Sequence, residues 1–434
     1  MSKFQNIWYA LMALTVLTAC NKEDGSPSDS FFKSIETDFD YLSKSIVESN
    51  GDLVLGCISA ENEELVTGYG EIYSKLYRFT GSGDELWSID LPGEVYELWQ
   101  VLALSNGKTL VMGFDSTRYS ETLGLAVVSE SGEVLHRYTR EIDMCPAFAN
   151  CTGPYVSGKL LSDGTIALVT YKVSQSDGST GNTILFILLD ENLNELNFIG
   201  IDELEQPDGS SGRFSSDFSP FNIDADDSFK INTNWRRFDS ENNLTSFQGF
   251  LSVSLSSSSV ELAIERENDL VGTSHSSVLA ASGKSYWVNV SNSFAEFSVP
   301  SLNLRNQEEY SIGQTINVWS GSEQGIVLER EFEPFSRDGA IVKILGTADG
   351  GFLIGAISNI DGDSPSTSEF SPQLIKLRSD LSIEWSQQYQ TGIKTLLNDI
   401  IETQDGFVMA VTYLNTANAS NAGILKVNKQ GFLN

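Results

Sequence analysis

Short apolar runs separated by tight-turn residues recur along most of this chain. The clearest stretch has apolar runs at 341–345 and 352–357, joined by the turn Asp349-Gly350-Gly351. A polar loop follows, and then come two further short runs at 374–377 and 383–389. Runs of this length, bounded by turn residues, predict four consecutive β-strands.

The same turn chemistry recurs at a regular spacing. Asn-Gly and Asp-Gly pairs between apolar runs predict tight hairpins, because both residues tolerate positive φ. Each unit therefore has the predicted order strand, tight turn, strand, long loop, strand, tight turn, strand. The first turns of the units lie at Asn50-Gly51, Asn106-Gly107, Asp163-Gly164, Asp349-Gly350 and Asp405-Gly406, with weaker counterparts at Asp226-Asp227 and Ser282-Gly283.

Four antiparallel strands per repeat resemble a β-propeller blade. The segments 75–87 and 374–385, which end at Trp87 and Trp385, look like the β-propeller repeats common in exported bacterial proteins. The resemblance implies an all-β fold, a seven-bladed β-propeller over residues 31–434. An unusually long interval between the fifth and sixth turns is interpreted as an insertion near 310–337. A degenerate eighth blade is the alternative.

The two chain ends fit together in this interpretation. The last unit ends at residues 431–434 without a fourth strand, whereas the spare run Phe31–Ile35 precedes the first unit. We therefore expect the N-terminal strand to complete the last blade, which removes an exposed sheet edge. Trp87 and Trp385, at equivalent positions, are expected to pack between adjacent blades.

The N-terminus has the pattern of an export signal. Lys3 precedes a mostly apolar run at 7–17, which is too short to span a membrane as a mature helix. The run ends Leu17-Thr18-Ala19-Cys20, which resembles the lipobox of bacterial lipoproteins; an ordinary secretory signal is the alternative. The resemblance implies a signal peptide over 1–19, a lipidated Cys20 and a polar flexible tether over 20–30.

The residues after Cys20 indicate where the protein is localised. Asn21-Lys22-Glu23-Asp24 resembles the surface-export signal of Bacteroidota-type lipoproteins. This resemblance implies a protein that is lipid-anchored to the outer membrane and exposed on the cell surface.

The other cysteines separate into two groups. Cys145 and Cys151 lie close together in a segment that contains Pro146 and Pro154, and in an exported protein such a pair is a disulfide candidate. Cys57 lies in an apolar run and is expected to be a small buried residue with a free thiol.

Charge and motifs exclude several functions. The formal net charge of −32 argues against a nucleic-acid partner, because phosphate binding needs a basic surface. His136 and His275 have no metal-ligand spacing, and no nucleophile elbow or phosphate loop is present. The acidic runs at 224–227 and 361–363 lack the downstream Glu of a calcium loop. No catalytic residue, metal or cofactor is predicted.

Binding is expected on the face that carries the long loops. In a four-stranded blade, the long loops at 59–72, 173–181 and 358–371 share one face with the connections between blades. Trp235, Arg236 and Arg237 are predicted to enter the fourth long loop, where aromatic and Arg side chains suit sugars or carboxylates. Trp319, in the predicted insertion, is a further candidate.

The expected function is a non-catalytic binding module or scaffold for a glycan or protein partner. The alternative is an exported glycan hydrolase or lyase that uses carboxylates as acid and base. A propeller fold accommodates either function, so the fold alone cannot decide.

Overall fold

A computed structural model describes the chain from residue 30 to residue 433 with gaps. The described residues are 30–35, 40–60, 72–95, 97–117, 120–142, 156–176, 179–201, 203–205, 211–218, 222–223, 228–238, 244–256, 259–268, 276–279, 284–290, 296–297, 310–322, 325–335, 338–360, 370–390, 394–414 and 420–433.

Regular structure in these ranges is β-strand, apart from the single 3₁₀ turns Gly93–Val95 and Ser105–Gly107. The strands are β1 Phe31–Ile35, β2 Asp40–Ser49, β3 Asp52–Ala60, β4 Ile72–Phe79, β5 Glu85–Asp90, β6 Glu97–Ala103, β7 Thr109–Thr117, β8 Ser120–Val128, β9 Val134–Glu141, β10 Ser157–Leu160, β11 Ile166–Ser176, β12 Ser179–Leu189, β13 Glu195–Ile201, β14 Glu203–Glu205, β15 Ser211–Phe218, β16 Asn222–Ile223, β17 Ser228–Phe238, β18 Leu244–Ser256, β19 Ser259–Asn268, β20 Ser276–Leu279, β21 Ser285–Val290, β22 Glu296–Phe297, β23 Tyr310–Gly313, β24 Ile316–Ser322, β25 Gly325–Phe332, β26 Asp338–Gly346, β27 Phe352–Ile360, β28 Ser371–Leu377, β29 Ile383–Gln388, β30 Lys394–Glu402, β31 Gly406–Leu414 and β32 Ser420–Asn428. In this part of the chain, no helix has the length and apolar character needed to cross a membrane.

The strands form six antiparallel sheets, numbered here in chain order. Sheet 1 has the order β2-β3-β4-β5, and sheet 2 has the order β6-β7-β8-β9. Sheet 3 has ten strands, in which β10 to β13 join β14 to β19 through a single residue pair, Asn182 with Phe214. Sheet 4 is β20-β21-β24-β25, sheet 5 is β22-β23-β26-β27-β28-β29, and sheet 6 is β30-β31-β32-β1. The predicted all-β class and the four-strand antiparallel units are confirmed.

The tight turns that the structure describes lie where the sequence predicts them, whereas the predicted turns Asp226-Asp227 and Ser282-Gly283 lie outside the described residues. Asn50 and Gly51 have φ values of 55° and 82°, and they join β2 to β3 as a two-residue hairpin. Asn106 and Gly107 also have positive φ values, 57° and 71°, in a longer turn that joins β6 to β7. The end of each sheet that carries these first-to-second and third-to-fourth strand turns is called the turn end below, and the opposite end is called the loop end.

Apolar side chains pack sheet 1 on sheet 2, sheet 2 on sheet 3, sheet 4 on sheet 5, sheet 5 on sheet 6, and sheet 6 on sheet 1. Burial of these side chains from water is the main stabilising contribution at each contact. Representative fully or almost fully buried residues are Val54, Leu98 and Val111 between sheets 1 and 2, Met112, Leu168 and Leu185 between sheets 2 and 3, Val288, Val318 and Ile354 between sheets 4 and 5, Leu353, Leu397 and Met409 between sheets 5 and 6, and Leu55, Val408 and Ile424 between sheets 6 and 1.

The N-terminal strand belongs to the last sheet, as the sequence predicts. β1 pairs antiparallel with β32, from Phe31 opposite Lys426 to Ile35 opposite Ala422. The Phe32 ring meets the Tyr413 ring edge-on, with the centroids 5.7 Å apart. The two ends of the described chain therefore meet within one sheet.

A repeated aromatic contact crosses three of the joints between sheets. Trp87 of sheet 1 lies against Gly132 in the β8–β9 turn of sheet 2, so a side chain at Gly132 would meet the indole. Trp385 lies against Gly431 of sheet 6 in the same way. The expected packing of both tryptophans between adjacent sheets is confirmed.

Phe31 occupies the same place at the joint between sheets 6 and 1. Its ring lies so close to Gly83 in the β4–β5 turn that a side chain at Gly83 would collide with it. In register, Phe31 stands opposite Lys426 as Trp87 stands opposite Arg78 and Trp385 opposite Lys376.

Two expectations about connections need correction. The segment 310–337 is not an insertion between sheets, because β24 and β25 are the third and fourth strands of sheet 4 and β23 pairs with β26 of sheet 5. The expected long loop at 173–181 is instead the end of a long hairpin, in which Ser176 pairs with Ser179.

Candidate functional site

Five strands that each begin a four-strand unit, called first strands here, lie side by side in the order β26, β30, β2, β6 and β10. Four of them carry a register shift at the corresponding point, which leaves Lys44, Trp99, Val342 and Asn398 as the extra residues in β2, β6, β26 and β30. A β-bulge re-aims a side chain and is frequent at functional sites. We call the surface formed by these bulges and their neighbours the first-strand surface.

Asp399 fixes the centre of the first-strand surface. Its Oδ1 accepts hydrogen bonds from Lys343 Nζ at 2.6 Å and from the Ile400 amide at 2.8 Å. Its Oδ2 accepts from the Ser45 hydroxyl at 3.1 Å and from the Ile46 amide at 3.0 Å. One almost buried carboxylate thus connects the first strands of sheets 5, 6 and 1.

A cation and an aromatic ring lie next to this centre. Lys44, which precedes Ser45, places its ammonium nitrogen 5.1 Å from the centroid of the Trp99 ring of sheet 2. Both side chains are half-buried. An ammonium held over an indole face is attracted by the ring quadrupole, and this attraction orders the lysine side chain.

The surface continues into sheet 3. Gln100 Oε1 accepts a hydrogen bond from the Gly158 amide of β10 at 2.9 Å. On the other side, the Thr412 hydroxyl donates to Asn398 Oδ1 at 2.8 Å. Lysine, amide and aromatic groups therefore follow one another across five first strands, a combination suited to binding a polar or anionic ligand.

Near the turn end, buried cations form ion pairs and hydrogen bonds with neighbouring strands and turns. Arg78, whose side chain is 1% exposed, donates from Nε to Asp52 at 2.8 Å and from an Nη to the Gly107 carbonyl of sheet 2 at 2.9 Å. Lys426 contacts Asp405 at 2.8 Å and the Gly81 carbonyl of sheet 1 at 2.9 Å. These cations join one sheet to the next, which is a structural role.

Two aspartates that pair with buried lysines, Asp349 with Lys376 and Asp405 with Lys426, have lowered pKa values. Burial opposes the charge on Asp349, but hydrogen bonds from Thr347, Lys376 and the Gly351 amide outweigh it and hold the pKa of Asp349 well below its ordinary value. Burial likewise opposes the charge on Asp405, and bonds from Lys426 and Thr403 lower its pKa.

An arginine-aromatic cluster that the sequence analysis did not single out joins the outer strands of sheets 2 and 3. The Arg140 guanidinium carbon lies 3.5 Å from the Phe198 ring centroid, and Arg140 also donates to Glu195. Tyr138 donates to Glu195 at 2.8 Å, and burial raises the pKa of Tyr138 to about 12. Alternation along β9 is the only sequence signal for this cluster, because its partners come from another sheet.

The predicted binding residues lie in strands and not in a loop. Trp235, Arg236 and Arg237 are interior to β17, opposite Phe247, Ser246 and Thr245 of β18. The structure describes their backbone only. Trp319 is half-buried in β24, and its indole nitrogen donates to Asn289 Oδ1 at 3.1 Å. The sequence placed Trp235, Arg236 and Arg237 in a loop, and Trp319 in an insertion, because it did not reveal how far these strands extend.

The remaining candidates divide between described and undescribed residues. Cys57 is a buried free cysteine in β3, as predicted, and burial raises the pKa of its thiol. His136 is half-buried in β9. The positions Cys20, Cys145, Cys151 and His275 lie outside the described residues, and so do the acidic runs 224–227 and 361–363. Within the ranges given above, no group of three or more His, Cys, Asp or Glu residues is arranged to hold a metal ion.

Comparisons with known proteins show similarity of the backbone fold only. No protein-family description and no curated protein sequence matches this chain. The chain is similar to the polysaccharide lyase Uly1, with 9% identity, a TM-score of 0.48 and 95% of each chain covered. It is also similar to a member of the DUF4221 family from Bacteroides vulgatus, with 10% identity, a TM-score of 0.39 and coverage of 92% of this chain and 98% of that one.

A third similarity is to an apocarotenoid oxygenase from Synechocystis. The identity is 12%, the TM-score is 0.41, and 81% of this chain and 72% of that one are covered. Similarity at this level assigns neither a family nor an activity to the chain.

Proposed function

We propose that this protein is a surface lipoprotein whose seven-bladed β-propeller binds a glycan or protein partner without catalysis. Sheets 1, 2, 4, 5 and 6 each supply one blade, and sheet 3 supplies two, β10–β13 and β16–β19. Support for a closed ring comes from the packing of sheet 6 against sheet 1 and from the pairing of β1 with β32.

The anchor part of the proposal rests on Cys20 and the residues around it. Lipidation at Cys20 attaches the mature chain to the outer membrane, and residues 20–30 connect the lipid to the propeller. A Cys20→Ala variant is expected in the soluble fraction of cells. Retention of this variant in the membrane fraction would contradict the anchor. The Cys145–Cys151 disulfide stays a prediction.

The binding part rests on one observation, the Lys44–Trp99 pair on the first-strand surface. In a chain with a net charge of −32, this pair presents a positive charge and an aromatic ring together. A glycan that carries carboxylate or sulfate groups would satisfy both, through ionic contact with the ammonium and apolar contact with the ring edge. Trp235, Arg236, Arg237 and Trp319 remain candidate contacts elsewhere on the protein.

The hydrogen bonding of Asp399 favours binding over carboxylate catalysis on this surface. Both of its oxygens already accept two donors, so a proton transfer there would require two sheets to separate locally. Glycoside hydrolysis uses two carboxyl groups that are available to the substrate and the attacking water.

The test measures the affinity of the purified protein for acidic oligosaccharides by calorimetry. Lys44→Gln is expected to weaken binding about tenfold, which corresponds to ~1.4 kcal/mol for one charge-assisted contact. Lys284→Gln is the matched control, because Lys284 is an exposed lysine that directly precedes β21 and lies away from the first-strand pair. Equal affinities of the two variants would contradict the proposed site, and release of shortened or unsaturated sugar products would favour the hydrolase or lyase alternative.

A further inference from the structure

The direction in which the chain enters β1 determines which end of the molecule receives the N-terminal segment. Phe31, the first residue of β1, lies against Gly83 in the β4–β5 turn. Ile35, the last residue, pairs with Ala422 near the start of β32, on the loop-end side. The chain therefore reaches the propeller at its turn end and runs toward its loop end.

Further contacts fix this entry point. Ser30 is buried, and Phe31 packs on the apolar cluster between sheets 6 and 1. Lys426, which pairs with Phe31, donates to the Gly81 carbonyl in the same turn at 2.9 Å. The place where the segment 20–30 joins the propeller is thus held by backbone pairing, apolar contact and an ionic side chain.

We propose that the propeller is held on the cell with its turn end toward the membrane and its loop end toward the medium. The inference rests on the proposed lipid anchor at Cys20. Residues 20–30 reach at most about 35 Å when fully extended. A strand as long as β31 rises about 30 Å. If the loop end faced the membrane, residues 20–30 would have to span nearly this whole length to reach the lipid surface.

The charge of the turn end agrees with a tethered arrangement rather than direct adsorption. Exposed acids, which outnumber exposed cations such as Arg378 among the described residues of this end, are Asp84, Glu130, Glu133, Asp349 and Asp380. Like charges repel, so these residues keep the turn end from lying flat on an anionic lipid surface. The loop end, where the long connections lie, is then presented to a ligand in the medium.

Energy transfer from two label sites on one strand tests this orientation. The lipidated protein is reconstituted into nanodiscs whose lipids carry an acceptor dye. A donor dye is attached through an azido amino acid at Ser131 in the β8–β9 turn or at Glu141 at the loop end of β9, both exposed positions. The two labels differ in height by about 25 Å, the length of β9.

We expect more efficient transfer from position 131 than from position 141. A variant in which residues 21–29 are repeated three times is the matched control, and its longer tether is expected to reduce the difference between the labels. Equal transfer, or stronger transfer from position 141, in disc-bound protein with the natural tether would overturn the orientation alone. Failure of the protein to associate with discs would overturn the anchor and the orientation together.

Discussion

The joint between sheets 6 and 1 has the same kind of side-chain contact as the joint between sheets 1 and 2, but its strands come from opposite ends of the chain. In both, an aromatic ring of the outer strand lies on a glycine in the turn of the next sheet: Phe31 on Gly83, and Trp87 on Gly132. At the joint between sheets 1 and 2, the ring belongs to a strand that follows its neighbours in the chain. At the joint between sheets 6 and 1, the ring comes from the opposite end of the sequence.

The polar contacts at these joints differ accordingly. Trp87 donates from its indole nitrogen to the Glu130 carbonyl at 2.9 Å, a bond that Phe31 has no donor to make. At the joint between sheets 6 and 1, Lys426 reaches the Gly81 carbonyl, and Asp399 accepts from Ser45. Arg78 donates to the Gly107 carbonyl across the joint between sheets 1 and 2, as Lys426 donates to the Gly81 carbonyl across the joint between sheets 6 and 1. The joint between sheets 6 and 1 therefore keeps the cation contact and lacks the hydrogen bond from the ring.

Among the changes that test this comparison, loss of β1 is expected to lower the stability of the protein most. Deleting residues 21–37 removes five backbone pairs and the apolar contacts of Phe31, Phe32 and Ile35, which together contribute on the order of 5 kcal/mol. The melting temperature should fall sharply in a thermal scan. Deleting residues 21–29 is the control and should leave it almost unchanged, since the deletion ends before Ser30. If both truncations melted at the full-length temperature, β1 would not close the last sheet.

Removal of a buried cation is expected to have the next largest effect. Arg78→Met leaves Asp52 and the carbonyls of Ser49 and Gly107 without their donor, which should cost about 3 kcal/mol in urea unfolding. Arg378→Met, at an exposed position near the end of β28, should change stability by less than about 0.5 kcal/mol. Similar losses of unfolding free energy in both variants would contradict the claim that buried cations near the turn end stabilise the protein more than exposed ones.

Acid should weaken the turn end to a smaller extent. The pKa values of Asp349 and Asp405 are lower in the folded protein than in the unfolded chain, where an aspartate titrates near about 3.9. Their contribution to stability is therefore complete above that pH and is lost as the pH falls through the folded-state values. A double variant, Asp349→Asn with Asp405→Asn, should lose less stability between pH 5 and pH 3 than the natural protein. Equal losses would show that other groups control acid unfolding.

Local sequence signals predicted the hairpins and the closing strand. The pair Asn50-Gly51 specifies its turn through positive φ, which few other residues accept, so the prediction needed no tertiary information. Phe31–Ile35 was identified because an apolar run preceding the first unit matched a strand missing from the last.

Features that depend on pairing between distant segments escaped the sequence analysis. The bulges at Lys44 and Trp99 exist only relative to the register of the next strand, so no residue pattern signals them. The third strand of sheet 4 follows its partner β21 only after a long connection, and turn spacing alone therefore mistook 310–337 for an insertion. Asp399 draws its partners from three sheets, which composition cannot show.

Hydrogen exchange of the intact protein tests most directly whether the N-terminal strand closes the molecule. We expect peptides that cover residues 31–35 to be protected to the same degree as those that cover 422–426, because the two segments pair in register. Peptides within 21–29 should exchange at the rate of an unstructured chain. Exchange of 31–35 as fast as that of 21–29, with 422–426 still protected, would contradict the account.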